Sequence, residues 1–107
     1  MFYVKQNDTS PALRATLKDH DGNGVNLTGA TVVFHMKPAR GSTAKVSNGV
    51  CSLVDDANGL VEYLWNSGDT DTTGTFYGEF QVTYADSTIE TFPNKDYIRI
   101  KIVSEVA

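Results

Sequence analysis

The chain has 107 residues, 40% of them hydrophobic, with a formal net charge of -4 and one cysteine. That length fits one domain with a core large enough to fold without staples, and a lone cysteine excludes an intramolecular disulfide. The acidic balance argues against a general phosphate-backbone binder and against docking on anionic lipid, so neither nucleic acid nor membrane is expected as a partner.

The opening MFYVKQNDTS lacks a basic region followed by an apolar run, which predicts no signal peptide and synthesis in a reducing cytoplasm. Its FYVKQ stretch alternates poorly with the rest of the chain, and residues 1–7 read as an edge strand or an arm that orders on assembly. Beyond it, period-2 alternation dominates, the signature of half-buried strands. In ALRATLK, Leu13, Ala15 and Leu17 face one way. In TVVFHMK, Val32, Phe34 and Met36 do so. GLVEYLW sets Val61, Tyr63 and Trp65 together; FYGEFQVTY sets Phe76, Gly78, Phe80, Val82 and Tyr84 together; DYIRIKIV sets Ile98, Ile100 and Ile102 inward. Short breakers rich in Gly, Pro, Asn and Asp separate these runs: DHDGNG, PARGS, DDANG, NSGDTDTTG, ADS and PNKD.

Seven to eight short strands, roughly ten residues apart, predict an all-β fold: a single antiparallel β-sandwich over residues 1–107. Phe34, Tyr63, Trp65, Phe76, Phe80, Val82 and Ile100 are its expected core, and truncating Phe80 or Trp65 to alanine is expected to cost about 3–5 kcal/mol. At most GDTDTT forms one helical turn, with Asp69 as its N-cap.

The DHDGNG breaker carries the one motif with a metal reading. Asp19-x-Asp21-x-Asn23-Gly24 reproduces the first half of an EF-hand loop. The loop's twelfth position, which needs a bidentate carboxylate, is Ala30, and strand patterns rather than helices flank it. Asp19, Asp21 and Asn23 are therefore a weak metal candidate, and the preferred reading is a β-turn closed by Asx chemistry. Asp69 and Asp71 admit a carboxylate-pair reading and a bland one of cap plus corner; the bland one is preferred. Asp55 and Asp56 precede Asn58-Gly59, a hairpin signal, and read as solvated. His20 and His35 lack the spaced partners of a zinc set. Cys51 reads as a small residue of a strand core rather than a nucleophile. No cofactor is expected, and no nucleophile elbow, P-loop or dinucleotide fingerprint occurs, so the chain is not expected to be an enzyme. Tyr3, Tyr77 and Tyr97 are the tyrosines expected at the surface, where an aromatic strip could bind sugars.

DTSPALRATLKDHDGNGVNLTGATVVFHMKP and GLVEYLWNSGDTDTTGTFYGEFQVTYADSTIETFPN carry a family resemblance. Asp8, Pro11, Leu17-Lys18-Asp19, the run from Val25 to Val32, Phe34 and Met36 mark the first half. Gly59, Tyr63, Trp65, Asp69-Thr70, Gly74, Glu79-Phe80 and Thr91-Phe92-Pro93 mark the second. Their order resembles the N-terminal domain of phage upper-baseplate proteins, the BppU-type family, across nearly the whole chain. The resemblance implies an immunoglobulin-like module of a tailed-phage virion, made in the bacterial host cytoplasm. Such a module is a non-enzymatic structural or adaptor protein of baseplate or tail that docks on other virion proteins, including further copies of itself. The resemblance implies no catalytic residues. Alternatives are a capsid or neck decoration protein of the same fold, or a carbohydrate-binding sandwich. Docking would use an unpaired edge strand or an outward patch; Phe2, Tyr3, Val33, Tyr77 and Ile89 are the interaction candidates.

Overall fold

A computed structural model describes residues 1–106 of the chain. Nine strands follow in order: β1 Phe2–Lys5, β2 Leu13–Thr16, β3 Thr31–Pro38, β4 Val46–Val50, β5 Ser52–Asp55, β6 Leu60–Tyr63, β7 Gly74–Thr83, β8 Ile89–Phe92 and β9 Ile98–Val103. The only helical element among the described residues is one 3-10 turn, Asp56–Asn58. No helix is long and apolar enough to cross a membrane among the described residues.

Two sheets enclose the core. The larger has the order β1-β9-β7-β3-β4, and the smaller has β2-β6-β5. Strand β7 is long enough to serve two neighbours on one side: Gly74 to Gly78 pair with β9, and Phe80 to Thr83 pair with β8. Its other side pairs with β3 along the full length of that strand. The three-stranded sheet and the β4-β3-β7-β9 run have the connectivity of an immunoglobulin-type sandwich. The expected all-β sandwich is thus observed, with two differences. There are nine strands among the described residues rather than seven to eight, in part because segment 46–55 breaks at Cys51, where the chain leaves one sheet and joins the other. Nor is the pairing wholly antiparallel: β1 runs parallel to β9, with Phe2 beside Ile100 and Lys5 beside Val103.

That pairing also decides what residues 1–7 are. Val4 is only 4% exposed and belongs to the core, and Phe2 packs on Trp65 with ring centroids 6.0 Å apart. The Gln6 N–H donates to the Val103 carbonyl at 2.7 Å. The segment is an edge strand of the sheet, the first of the two expected readings; Phe2 and Val4 already pack on the rest of the chain, so it is not an arm awaiting assembly.

The seven expected core residues are all buried. Phe34 lies at their centre: its ring is 4.9 Å from Tyr63, 5.2 Å from Phe80, and edge-on to Trp65 at 5.9 Å. Offset and edge-to-face contacts of this kind add about 0.5–1.5 kcal/mol each beyond burial. Polar tips inside the sandwich are paired, as buried polar groups must be. The Trp65 indole donates to the Pro11 carbonyl at 3.0 Å, and the buried Thr70 hydroxyl donates to the Asp8 carbonyl at 2.7 Å.

One core element escapes any alternation rule. Leu27 is fully buried although it lies in a loop. Its N–H donates to the Asp56 carbonyl at 2.7 Å, and the Asn26 carboxamide oxygen closes the following turn on Thr28. The loop that carries Leu27 is thereby tied to the 3-10 turn. Gly24 marks the same junction: a Cβ there would sit 2.1 Å from the Asn58 carbonyl oxygen. The second glycine of DHDGNG serves a close backbone approach.

Candidate functional site

Alternation sends every second residue of the larger sheet to its outer face. The cross-strand register then assembles that face row by row. Tyr3 lies beside Lys101, which lies beside Thr75. Arg99, Tyr77 and Lys37 form the next row, followed by Glu79 and His35. Thr91, Gln81, Val33 and Val50 come next, and Ile89, Thr83 and Thr31 close the series. Four of the five interaction candidates, Tyr3, Val33, Tyr77 and Ile89, therefore share one surface, although they come from four different strands. Tyr3 is 62% exposed and Ile89 61%, while Val33 and Tyr77 are half-buried among their neighbours. Phe2 is the exception and a correction. It is one residue out of phase with Tyr3, so it points into the sandwich onto Trp65.

Side-chain bonds stiffen the middle of this face. The ring nitrogens of His35 are both engaged. Nδ1 accepts from the Asn48 backbone N–H at 3.1 Å, which leaves Nε2–H to donate to the Gln81 side-chain oxygen at 2.8 Å. Asn48 has φ 56°, and the β3–β4 register shifts between Phe34 and Met36. The β4 edge is thus bulged, a device that blunts strand addition. The Tyr77 and Tyr97 rings stack at 4.9 Å with an 11° interplanar angle, and the Lys37 ammonium lies 5.6 Å from the Tyr77 centroid. Beside them the face opens into a cleft of about 110 Å³.

The residues with chemical readings are dispersed and occupied. Asp19 turns its carboxylate onto its own loop: Oδ1 accepts from the backbone N–H of Asp21 at 2.9 Å and of Asn23 at 3.0 Å. With Gly22 at φ 84° and a bridge from Lys18 to Gly24, the loop is a hairpin end closed by an Asx turn. No group of three or more His, Cys, Asp or Glu side chains suited to a metal ion occurs among the described residues.

Asp69 does not cap a helix; it closes the turn before it. Its Oδ2 accepts from the Asn66 N–H at 2.8 Å and from the Tyr63 hydroxyl at 2.5 Å. Burial, followed by that carboxylate, pushes the Tyr63 hydroxyl well above its ordinary range. Asp71 instead pairs with Lys45 and Thr72, whose hydrogen bonds hold its carboxyl below the ordinary range. The two acids therefore serve separate local networks. Asp55 and Asp56 bond the side chain of Asn58 and the N–H of Ala57 within the 3-10 turn, which closes the β5–β6 hairpin signalled by Asn58-Gly59. His20 is exposed beside Asp21.

Cys51 sits between β4 and β5, packed against the core, and burial pushes its thiol up to about 12. From a reference of 9.0 this lowers the thiolate fraction at neutral pH by roughly three orders of magnitude. Cys51 is expected to react with iodoacetamide at pH 7.5 at least ~100-fold more slowly in the folded protein than in urea. Labelling at the same rate in both states would revive it as a nucleophile.

Sequence reasoning missed two features of the face. Val50 is 83% exposed, and its opposition to Val33 depends on a register that no local pattern reveals. The expected surface tyrosines did not specify that Tyr97, a loop residue, stacks directly on Tyr77, a strand residue. No protein-family model matches the chain, and no curated protein matches it.

Proposed function

We propose that the protein is a non-enzymatic docking module of a tailed-phage virion, a baseplate or tail component that binds neighbouring virion proteins through the outer face of its larger sheet. The observation that carries this reading is the gathering of Tyr3, Val33, Val50, Tyr77, Ile89 and Tyr97 at one face. Scattered surface apolar residues need no explanation, but a shared patch marks an interaction surface. Size supports it as well. Five strands at about 4.8 Å spacing and the eight residues of β3 give a footprint of roughly 600 Å². A standard protein interface buries about 800 Å² per partner. The rows mix apolar side chains with cations and hydroxyls, the composition of an interface that forms between separately folded partners. The virion assignment itself rests on the family resemblance of the sequence, which supplies the class of partner.

The test is a double substitution, Val50→Asp with Ile89→Asp. Both side chains point to solvent, so the variant is expected to keep its melting temperature within about 3 °C. Two buried charges at a partner interface should reduce incorporation into phage particles at least tenfold. Undiminished incorporation of a folded double variant would refute docking through this face.

A further inference from the structure

The cleft on the docking face has a chemistry of its own. Its volume of about 110 Å³ is well below the ~300–1,000 Å³ of sites that enclose a free ligand. It is of a size to take one side chain. Its walls are Tyr77 and Tyr97, with Ala44 and Ser42 from the segment that returns to β4, and Glu79 and Lys37 at its polar margin. His35 also borders it, but both of its ring nitrogens are engaged. Lys37 is committed too: its ammonium donates to the Gly41 carbonyl at 3.1 Å and lies over Tyr77. Glu79 differs. Its carboxylate makes no ion pair or side-chain hydrogen bond among the described residues, and its neighbour across the strands is the occupied His35. What remains unpaired in the cleft is the Glu79 carboxylate, beside the stacked Tyr77–Tyr97 pair.

We propose that this cleft receives an arginine side chain from the docking partner, its guanidinium stacked on the Tyr77–Tyr97 wall and paired with the Glu79 carboxylate. The inference rests on the docking reading and names what the partner must present. A planar guanidinium offers both a face for the ring and a fork for the carboxylate, whereas an ammonium is a compact, strongly hydrated point charge. The Lys37 contact demonstrates that the Tyr77 ring already accommodates a cation. Buried arginine anchors among tyrosines are a recurrent source of binding energy at interfaces. Among the described residues of this face Glu79 is the one acid beside Lys37, Arg99 and Lys101, so it is the group there that attracts a cation. Lys37, with Arg99 on the other side of Tyr77 and Lys101 beyond it, opposes this, since like charges weaken any further cation nearby.

The experiment uses the whole chain and N-acetyl-arginine amide as the probe, followed by NMR. Saturable shifts are expected at Tyr77, Glu79 and Tyr97, with a Kd in the millimolar range. Glu79→Gln should weaken binding at least fivefold, and Lys37→Gln should tighten it about twofold to fivefold, as removal of a like charge requires. The lysine analogue should bind at least threefold more weakly, and methyl glucoside should cause no shift. Absence of saturable shifts, an equal response to the uncharged citrulline analogue, or binding of the glucoside instead would overturn the arginine assignment. The two failures are separable. If the Val50→Asp, Ile89→Asp variant loses incorporation while the arginine probe does not bind, docking stands and the cleft proposal falls. If incorporation is unaffected, the docking reading falls whatever the probe does.

Discussion

Replacing Phe34 by alanine is expected to remove a large share of the protein's stability. The ring is fully buried and lies within 6 Å of Tyr63, Phe80 and Trp65. Its removal forfeits the transfer free energy and leaves a cavity between two sheets that cannot close independently. Phe→Ala changes in such sites cost about 3–5 kcal/mol, against a total of about 5–15 kcal/mol for a domain. Urea denaturation followed by Trp65 fluorescence reads this directly. Phe34→Leu should recover more than half of the loss, since most of the volume returns. A loss below about 1.5 kcal/mol for the alanine variant would mean that the sheets do collapse onto the gap.

Gly59→Ala is expected to cost about 2–5 kcal/mol, by the sum of two effects. The residue has φ 79°, where a Cβ costs roughly 1–2 kcal/mol. In addition, that Cβ would lie 2.7 Å from the Leu17 carbonyl oxygen and 2.8 Å from that of Val25. Those atoms are backbone, held by the Leu17 N–H to Gly59 carbonyl bond and the Val25 N–H to Leu17 carbonyl bond, both 2.8 Å. They cannot rotate away as a side chain would, so the overpacking adds about 1–3 kcal/mol. Gly22→Ala separates the two effects. Gly22 has φ 84° but nothing within 4 Å of its missing Cβ, so it should cost only the conformational share, about 1–2 kcal/mol. Equal costs at the two positions would show that the junction between the loops gives way.

The contrast between these glycines also illustrates what is legible in the sequence. Alternation identifies Phe34, Phe80, Val82 and Ile100 as inward, because a strand half in water writes its burial into a period of two. It cannot say which strands are neighbours. The gathering of Tyr3, Val33, Tyr77 and Ile89 on one face follows from parity plus register, and register is a long-range property. Phe2 shows the penalty for a one-residue phase error: its neighbour Tyr3 faces solvent while it faces Trp65. Cys51 reads as a strand residue from its neighbours, yet it is the point where the chain changes sheets. Leu27 is invisible to any period because it is held by a loop bond to Asp56. For DHDGNG, composition alone favours a turn over a calcium loop, but the reason for Gly24, a carbonyl from another turn passing over it, lies 34 positions further along the chain at Asn58.

The parallel pairing of β1 with β9 has a mechanical side. These are the first and last strands of the domain, lying edge to edge and pointing the same way. A tension that draws the start of one away from the finish of the other slides the pair lengthwise. Every bond between them then shares the load at once instead of peeling open in turn. Stretched between two neighbours in an optical trap, the domain should yield at a higher force than the same fold pulled across its β7–β8 hairpin, where the contacts break singly.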